Sequence, residues 1–476
     1  MATPKIDFTA FHNIVNGQLR GSEKTYHSVD PATKEPLWEA PVATQDDLDD
    51  AVRAAQAAFK TWSKTPIQDR SKLLKDLAAA LINYQSELGQ LLTKEVRRPN
   101  AFYETTIAGY MLQNVAGLTL DEEVIDEVET NRRLVTRRMP LGVVGAICPW
   151  NLPLGLAVQK IAPALMAGNC IIVKPSPYTP YSGLKLVEIA QSIFPPGVVQ
   201  VLGGDDQLGP WMVKHPGIQK ISFTGSCPTG KKVVKGAADT MKRVTLELGG
   251  NDACIVCPDV NISEAAHGVA QGALYNTGMA CLAAKRVYVH DDIYDKFLEA
   301  LVEAVKTLQI GDTTSKGDAL GPIQNEMQYK KVLEYYKDSI QQGHKFALGG
   351  EVKESTGFFI EPAVIDNPPH KSRIVQEEPF GPIFPVLHWK DEDEVIERAN
   401  SVDVGLTGSV FSSDITRAER IARQLETGLV WINEVAKTSM AMPFGGWKQS
   451  GLGFEGGREA LHGYTNVQVL YIPKPI

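Results

Sequence analysis

Four short runs between residues 143 and 223 constrain the fold of this 476-residue chain more than any other feature. VVGAI begins at Val143, CIIVK at Cys170, VVQVL at Val198 and KISF at Lys220, with helical stretches between them. Largely apolar runs of this length, without strict alternation, are strands covered on both faces, and strands alternating with helices make parallel sheets. An α/β fold is therefore predicted, after an opening hairpin region. From Leu48 the positions Leu48, Val52, Ala55, Phe59 and Trp62 step by 4, 3, 4 and 3, with Thr44 and Asp47 as a capping pair, which predicts a helix. A second helix is expected from about Asp69, with Leu73, Leu77, Leu81, Tyr84 and Leu88 on one face.

The chain is too long for one ordinary core, and 43% apolar residues fill two or three. A net charge of −8 argues against nucleic acid, which needs a basic face. Six cysteines, sparse and irregularly spaced, do not make a secreted disulfide framework, so a reducing cytoplasm is expected. Cys254 and Cys257 form a C-x-x-C without a second pair, inside the apolar run ACIVC; they read as buried strand thiols, and no metal site is expected. The N-terminal MATPKIDFTAF lacks the apolar core of a secretory signal, and the C-terminal PKPI is no known address. Pro140 to Val158 is uncharged, but Pro149, Asn151 and Pro153 would break a membrane span, so it reads as a strand entering a site loop. No internal repeat or low-complexity linker is evident.

The chemistry concentrates in Glu247, within LELGG, and Cys281, within NTGMACLAAKR. Hydride can leave a carbonyl carbon only from a tetrahedral adduct, and Cys makes that adduct most readily near neutral pH. The adduct oxyanion needs preorganised donors, which the Asn151 carboxamide and a backbone amide can supply. The thioester that remains requires an activated water, a task for Glu247. Taken singly, Cys281 reads as a small buried hydrophobe, Glu247 as a strand-end acid and Asn151 as a turn cap; the set in this order overturns those readings. Gly225 to Lys232, GSCPTGKK, fits G-x-x-x-x-G-K, yet it lacks the Ser or Thr that a triphosphatase places after the lysine. G-x-G-x-x-G is absent too. What remains is a strand ending at a Gly-Ser turn that opens a helix, with Pro228 in its first turn and free amides able to receive a pyrophosphate.

With PWN at Pro149–Asn151, KPSP at Lys174–Pro177, FTGS at Phe223–Ser226, LELGG at Leu246–Gly250, EEPFGP at Glu377–Pro382 and PFGGWKQSG at Pro443–Gly451, the chain resembles the aldehyde dehydrogenase superfamily nearly end to end. The resemblance implies a Rossmann-type dinucleotide-binding domain (1–119 and 141–249), an α/β catalytic domain (250–448) and a β-hairpin oligomerisation element. That element comprises 120–140, with its acidic DEEVIDEVE and basic RRLVTRR halves, and 462–476; a homodimer or homotetramer follows. The resemblance makes Cys281 the nucleophile, Asn151 the oxyanion donor and Glu247 the base. Ile147, Cys148, Pro149 and Trp150 would line the cofactor groove. Lys174, Ser176 and Pro177 would lie at the adenosine ribose, and Phe223, Thr224, Gly225 and Ser226 at the phosphates. Leu248 and Gly249 would border the same groove, Glu378 would hold the nicotinamide ribose, and Phe380 would pack nearby. The resemblance implies NAD, the more frequent cofactor in the family; many members carry a Glu that repels a 2′-phosphate where this chain has Pro177, which keeps NADP as the alternative. Leu152, Gln159, Ala280, Leu282, Met440 and Phe444 should border the substrate tunnel. A medium-sized aliphatic or aromatic aldehyde is the expected substrate. A coenzyme A-acylating relative and a non-catalytic protein of the same fold are the alternatives.

Overall fold

The computed structural model describes residues 6–98, 101–127, 129–311, 319–353 and 355–474. The first five residues of MATPKIDFTAF, Val128 of the acidic run and the last two residues of PKPI fall outside them.

The strands Val143–Ile147, Cys170–Lys174 and Lys220–Thr224 are buried at every position, as parallel strands covered on both faces must be. They belong to an eight-stranded sheet ordered Gln18–Arg20, Asn13–Val15, Val199–Val201, Cys170–Lys174, Val143–Ile147, Lys220–Thr224, Arg243–Glu247, Gly451–Leu452. The five strands from Val199–Val201 to Arg243–Glu247 run parallel, with antiparallel strands at both edges. From Val143–Ile147 the chain moves first to Cys170–Lys174 on one side and later to Lys220–Thr224 on the other. The order therefore reverses between neighbours, which is where open α/β sheets hold ligands. Register places Ile147 opposite Lys174 and Phe223, and Thr224 opposite Glu247, so these residues end four strands in one row.

A seven-stranded sheet follows in the order Lys345–Leu348, Ala363–Asp366, Ile383–Trp389, Arg286–His290, Ala253–Val256, Thr407–Phe411, Leu429–Ile432. Cys254 and Cys257 are buried in and just after one of its central strands. The charged segment forms the hairpin Glu123–Glu127 and Arg132–Pro140, and Thr465–Pro473 joins it as a third strand along nine paired positions. Val124, Ile125, Val467, Val469 and Tyr471 of this small sheet are exposed.

The first helix spans Gln45–Trp62, starting three residues before Leu48. Thr44 accepts from the Asp47 amide and Asp47 accepts from the Thr44 amide, a capping box that fixes the start. The second expected helix divides at Tyr84 (φ −101°, ψ 17°) into Ile67–Asn83 and Gln85–Val96. Leu74, rather than the half-buried Leu73, joins Leu77 and Leu81 in the core, because the buried stripe follows Leu74, Leu77, Ala78 and Leu81. The uncharged stretch from Pro140 resolves into the strand Val143–Ile147, a loop, and the helix Pro153–Met166 with Pro153 in its first turn. Among the described residues no helix is long and apolar enough to cross a membrane.

Candidate active site

Cys281 follows a turn whose backbone is left-handed at three consecutive residues, Asn276 (φ 52°), Thr277 (φ 56°) and Gly278 (φ 75°). Thr277, β-branched, adopts this conformation at a cost that the surrounding structure must offset; its hydroxyl donates to the Gly321 carbonyl at 3.2 Å. At Gly278 a Cβ would lie 2.2 Å from the Gly381 carbonyl oxygen, so only glycine lets this turn close on the EEPFGP segment. The turn delivers Cys281 to the floor of a cavity of about 380 Å³.

Asn151 is buried, and its carboxamide donates to the Met279 carbonyl at 3.1 Å, while Asn276 donates back to the Asn151 carbonyl at 3.3 Å. The oxyanion candidate is thus fastened to the cysteine turn. Glu247 ends its strand buried, and it lines the same cavity as Cys281. Burial pushes Glu247 up to about 8, with Glu455 and Glu378 acting in the same sense and Lys160 against it. Burial, and then the adjacent Glu247, also raise the Cys281 thiol well above its ordinary value, against the opposing charge of Lys285. Cys281 therefore rests as a thiol rather than a thiolate. Among the described residues, Glu247 Oε1 is buried without a hydrogen-bond partner.

Behind Glu247 lies a buried pair that the sequence did not disclose. Lys160 Nζ donates to Glu455 Oε1 and to Thr224 Oγ1, each at 2.8 Å, and Ser222 donates to Glu455 at 2.9 Å. A lysine within the apolar PLGLAVQKIAPALM was the available signal; its partner stands 295 residues away. Thr224 thus turns its hydroxyl to this pair.

Every residue expected at the tunnel, Leu152, Gln159, Ala280, Leu282, Met440 and Phe444, lines the cavity with Glu247 and Cys281. Unforeseen walls come from Ile107, Met111, Leu156, Leu429 and Trp431, so the cavity is mainly apolar. No motif marks these residues, which arrive from two helices, Tyr103–Ala116 and Pro153–Met166, and the strand Leu429–Ile432.

The expected cofactor residues gather along the carboxyl ends of the first sheet. Lys174 is buried, and its ammonium has one long contact, 3.4 Å to the Pro175 carbonyl; burial depresses its pKa. Ser176 is buried and Pro177 half-buried in the turn that follows. Ile147 and Cys148 are buried, the Cys148 amide donating to the Lys174 carbonyl, and burial pushes the Cys148 thiol up to about 11. Pro149 continues the loop to Trp150, whose ring meets Phe380 edge-on at 5.5 Å. Phe223 and Thr224 close their strand; Gly225 and Ser226 lead into the helix Cys227–Ala237, whose N-cap Ser226 makes no side-chain cap. Instead its hydroxyl bonds Thr229 Oγ1 at 3.1 Å, leaving first-turn amides available to an anion. Leu248 is buried, and at Gly249 a Cβ would meet Glu378 Oε2 at 2.0 Å, so glycine admits this carboxylate to the groove. The model of the aldehyde dehydrogenase family matches residues 19–470.

The chain belongs to the aldehyde dehydrogenase family. It is 43% identical to the aldehyde dehydrogenase LUC3 of a Fusarium species, over 98% of this chain and all of that one. Among solved structures, the NAD+ complex of an aldehyde dehydrogenase from Bacillus cereus is 34% identical with a TM-score of 0.94, covering 97% of this chain and 96% of that one. An NADP-dependent enzyme of E. coli is 32% identical with a TM-score of 0.95, covering 98% and 99%. This family member therefore shares both the α/β architecture and the chain length of its relatives.

Proposed function

We propose that this aldehyde dehydrogenase converts an aldehyde to the carboxylic acid with NAD+ and water, through a thiohemiacetal and then a thioester on Cys281. One observation carries the reading: Cys281 lines a single cavity together with the buried carboxyl of Glu247, whose affinity for a proton lies near neutrality and whose Oε1 has no partner among the described residues. Cys281 attacks the carbonyl carbon as the thiolate, its proton passing to solvent. Asn151 and the Cys281 amide receive the oxyanion, and Glu247 later takes a proton from the water that cleaves the thioester. When bound, the cofactor supplies the hydride acceptor. The first-turn amides beside Ser226 suit its pyrophosphate, the under-partnered Lys174 with Ser176 suits the adenosine ribose, and Glu378 with Phe380 suits the nicotinamide end. NAD is the cofactor that family membership supports; Pro177 puts no acid beside that ribose to repel a 2′-phosphate, which keeps NADP as the alternative.

The apolar walls support a medium-sized aliphatic or aromatic aldehyde. Residues 1–119 and 141–249 would form the dinucleotide-binding domain, 250–448 the catalytic domain, and 120–140 with 462–476 the oligomerisation element. The exposed apolar side chains on the three-stranded sheet support a homodimer or homotetramer. Six unpaired cysteines fit a cytoplasmic location. The deciding experiment is an aldehyde panel with NAD+ and NADP+ in parallel, with and without coenzyme A. Free acid formed at equal rate in both conditions supports hydrolysis; acyl-coenzyme A as product assigns an acylating enzyme, and no cofactor reduction with any aldehyde rejects catalysis.

A further inference from the structure

Lys285 is a buried charge that the chemistry above leaves without a task. Its side chain is 4% exposed, and it does not line the cavity. Its ammonium donates to three carbonyls of the cysteine segment, those of Ala280 at 3.0 Å, Cys281 at 2.7 Å and Ala283 at 3.2 Å. It also pairs with Glu378 Oε1 at 3.2 Å and stands 3.8 Å from Asp252 Oδ2. Asp252 is itself held by the hydroxyl and amide of Thr407, so the ammonium is anchored from the far side.

The carbonyl contacts set the direction of the amides. In a planar trans peptide the C=O and N–H point opposite ways. With the Ala280 and Cys281 carbonyls drawn to Lys285, the Cys281 and Leu282 N–H groups face away from it, and Ala280, Cys281 and Leu282 line the cavity. Among the described residues, neither N–H has a protein acceptor. A segment with two consecutive donors turned to a cavity is one that could rotate to satisfy them, and an unpaired buried donor costs about 1–3 kcal/mol. Something must hold it.

We propose that Lys285 is the positioning residue that keeps the Cys281 peptide in the orientation able to receive the oxyanion. It acts through the backbone and touches neither substrate nor cofactor. Three carbonyls converging on one point suit a compact ammonium with three donors; a planar guanidinium cannot cap all three. This assignment rests on Cys281 being the nucleophile.

The test compares two reagents on Lys285→Arg and Lys285→Met. Iodoacetamide alkylates the cysteine without forming an oxyanion, whereas an aryl trifluoromethyl ketone forms a hemithioketal whose oxygen needs the amide. Lys285→Met should weaken the ketone by roughly two orders of magnitude, the scale of losing one oxyanion donor. Lys285→Arg, which keeps the charge facing Asp252 and Glu378, should weaken it about ten-fold. The limiting alkylation rate at the plateau of its pH profile should change less than about three-fold in Lys285→Arg. Equal losses in both reactions would mean a collapsed site, and an alkylation profile shifted in pH with unchanged ketone affinity would make Lys285 a charge rather than a positioner; either result overturns the proposal. Cys281→Ala serves as the separate control. If it still binds the ketone covalently, the nucleophile assignment fails, independently of Lys285.

Discussion

The expected cofactor groove and the cavity lined by Cys281 are built in opposite ways. The expected groove consists of strand ends and the turns directly after them, Ile147 to Trp150, Lys174 to Pro177, Phe223 to Ser226 and Glu247 to Gly249, where free main-chain amides can meet a ligand. The cavity draws side chains from the helix Tyr103–Ala116, the helix Pro153–Met166, the cysteine turn, the strand Leu429–Ile432 and the segment 436–444. A site made of backbone tolerates side-chain replacement, whereas one made of converging side chains fails with any essential member. The two regions should therefore respond differently to single substitutions.

The largest expected effect lies in the cavity. Cys281→Ala should reduce aldehyde oxidation below about a hundredth of wild type, a barrier increase of at least ~2.7 kcal/mol, while cofactor affinity measured by fluorescence titration stays unchanged. Loss of both would erase the distinction between the regions. Cys148, Cys254 and Cys257, whose thiols burial holds protonated, should be dispensable.

A smaller effect separates the two helpers. Glu247→Gln should slow thioester hydrolysis by about 10²–10⁴-fold and keep the initial burst of reduced cofactor in rapid mixing, whereas Asn151→Ala should lose the burst. A lost burst in Glu247→Gln would assign the carboxyl to thiol activation instead. Because the ionised form of Glu247 is the base and burial raises its pKa to about 8, wild-type turnover should climb as pH rises through that value. In Glu247→Gln this limb should be flat.

The smallest effect belongs to the groove. Pro177→Glu should shift the NAD+ to NADP+ ratio of kcat/KM toward NAD+ by about ten-fold. That is less than the ~4 kcal/mol between two charges 4 Å apart at intermediate dielectric, because residue 177 is half-exposed. An unchanged ratio would place cofactor choice elsewhere in the adenosine pocket.

The same contrast decides what could be read from sequence. Strand, turn and helix around Phe223–Ser226 were legible because the ligand-facing amides belong to consecutive residues. Glu247, Cys281 and Asn151 were legible through ordered motifs. Lys160 with Glu455, Lys285 with Glu378, and the wall residue Trp431 were not, since each gains its role from a partner far along the chain. The break at Tyr84 was hidden for a related reason. The apolar spacing continues across it, and what ends the helix is the packing of Gln85–Val96 against Tyr181–Ala190.

The return of the chain to its first sheet has a consequence for synthesis. The edge strand Gly451–Leu452 and Glu455 are made after every other strand of the first sheet, yet they close a sheet begun at Asn13 and neutralise Lys160. A nascent chain ending at residue 450 already carries Asn151, Glu247 and Cys281, but it holds a buried ammonium with no carboxylate to meet it. Breaking such a pair costs ~3–5 kcal/mol, a large share of the ~5–15 kcal/mol that holds a domain together. Glu247 therefore acquires its final surroundings only once Glu455 has been made, by a closure across 295 residues of the long-range kind that folds slowly.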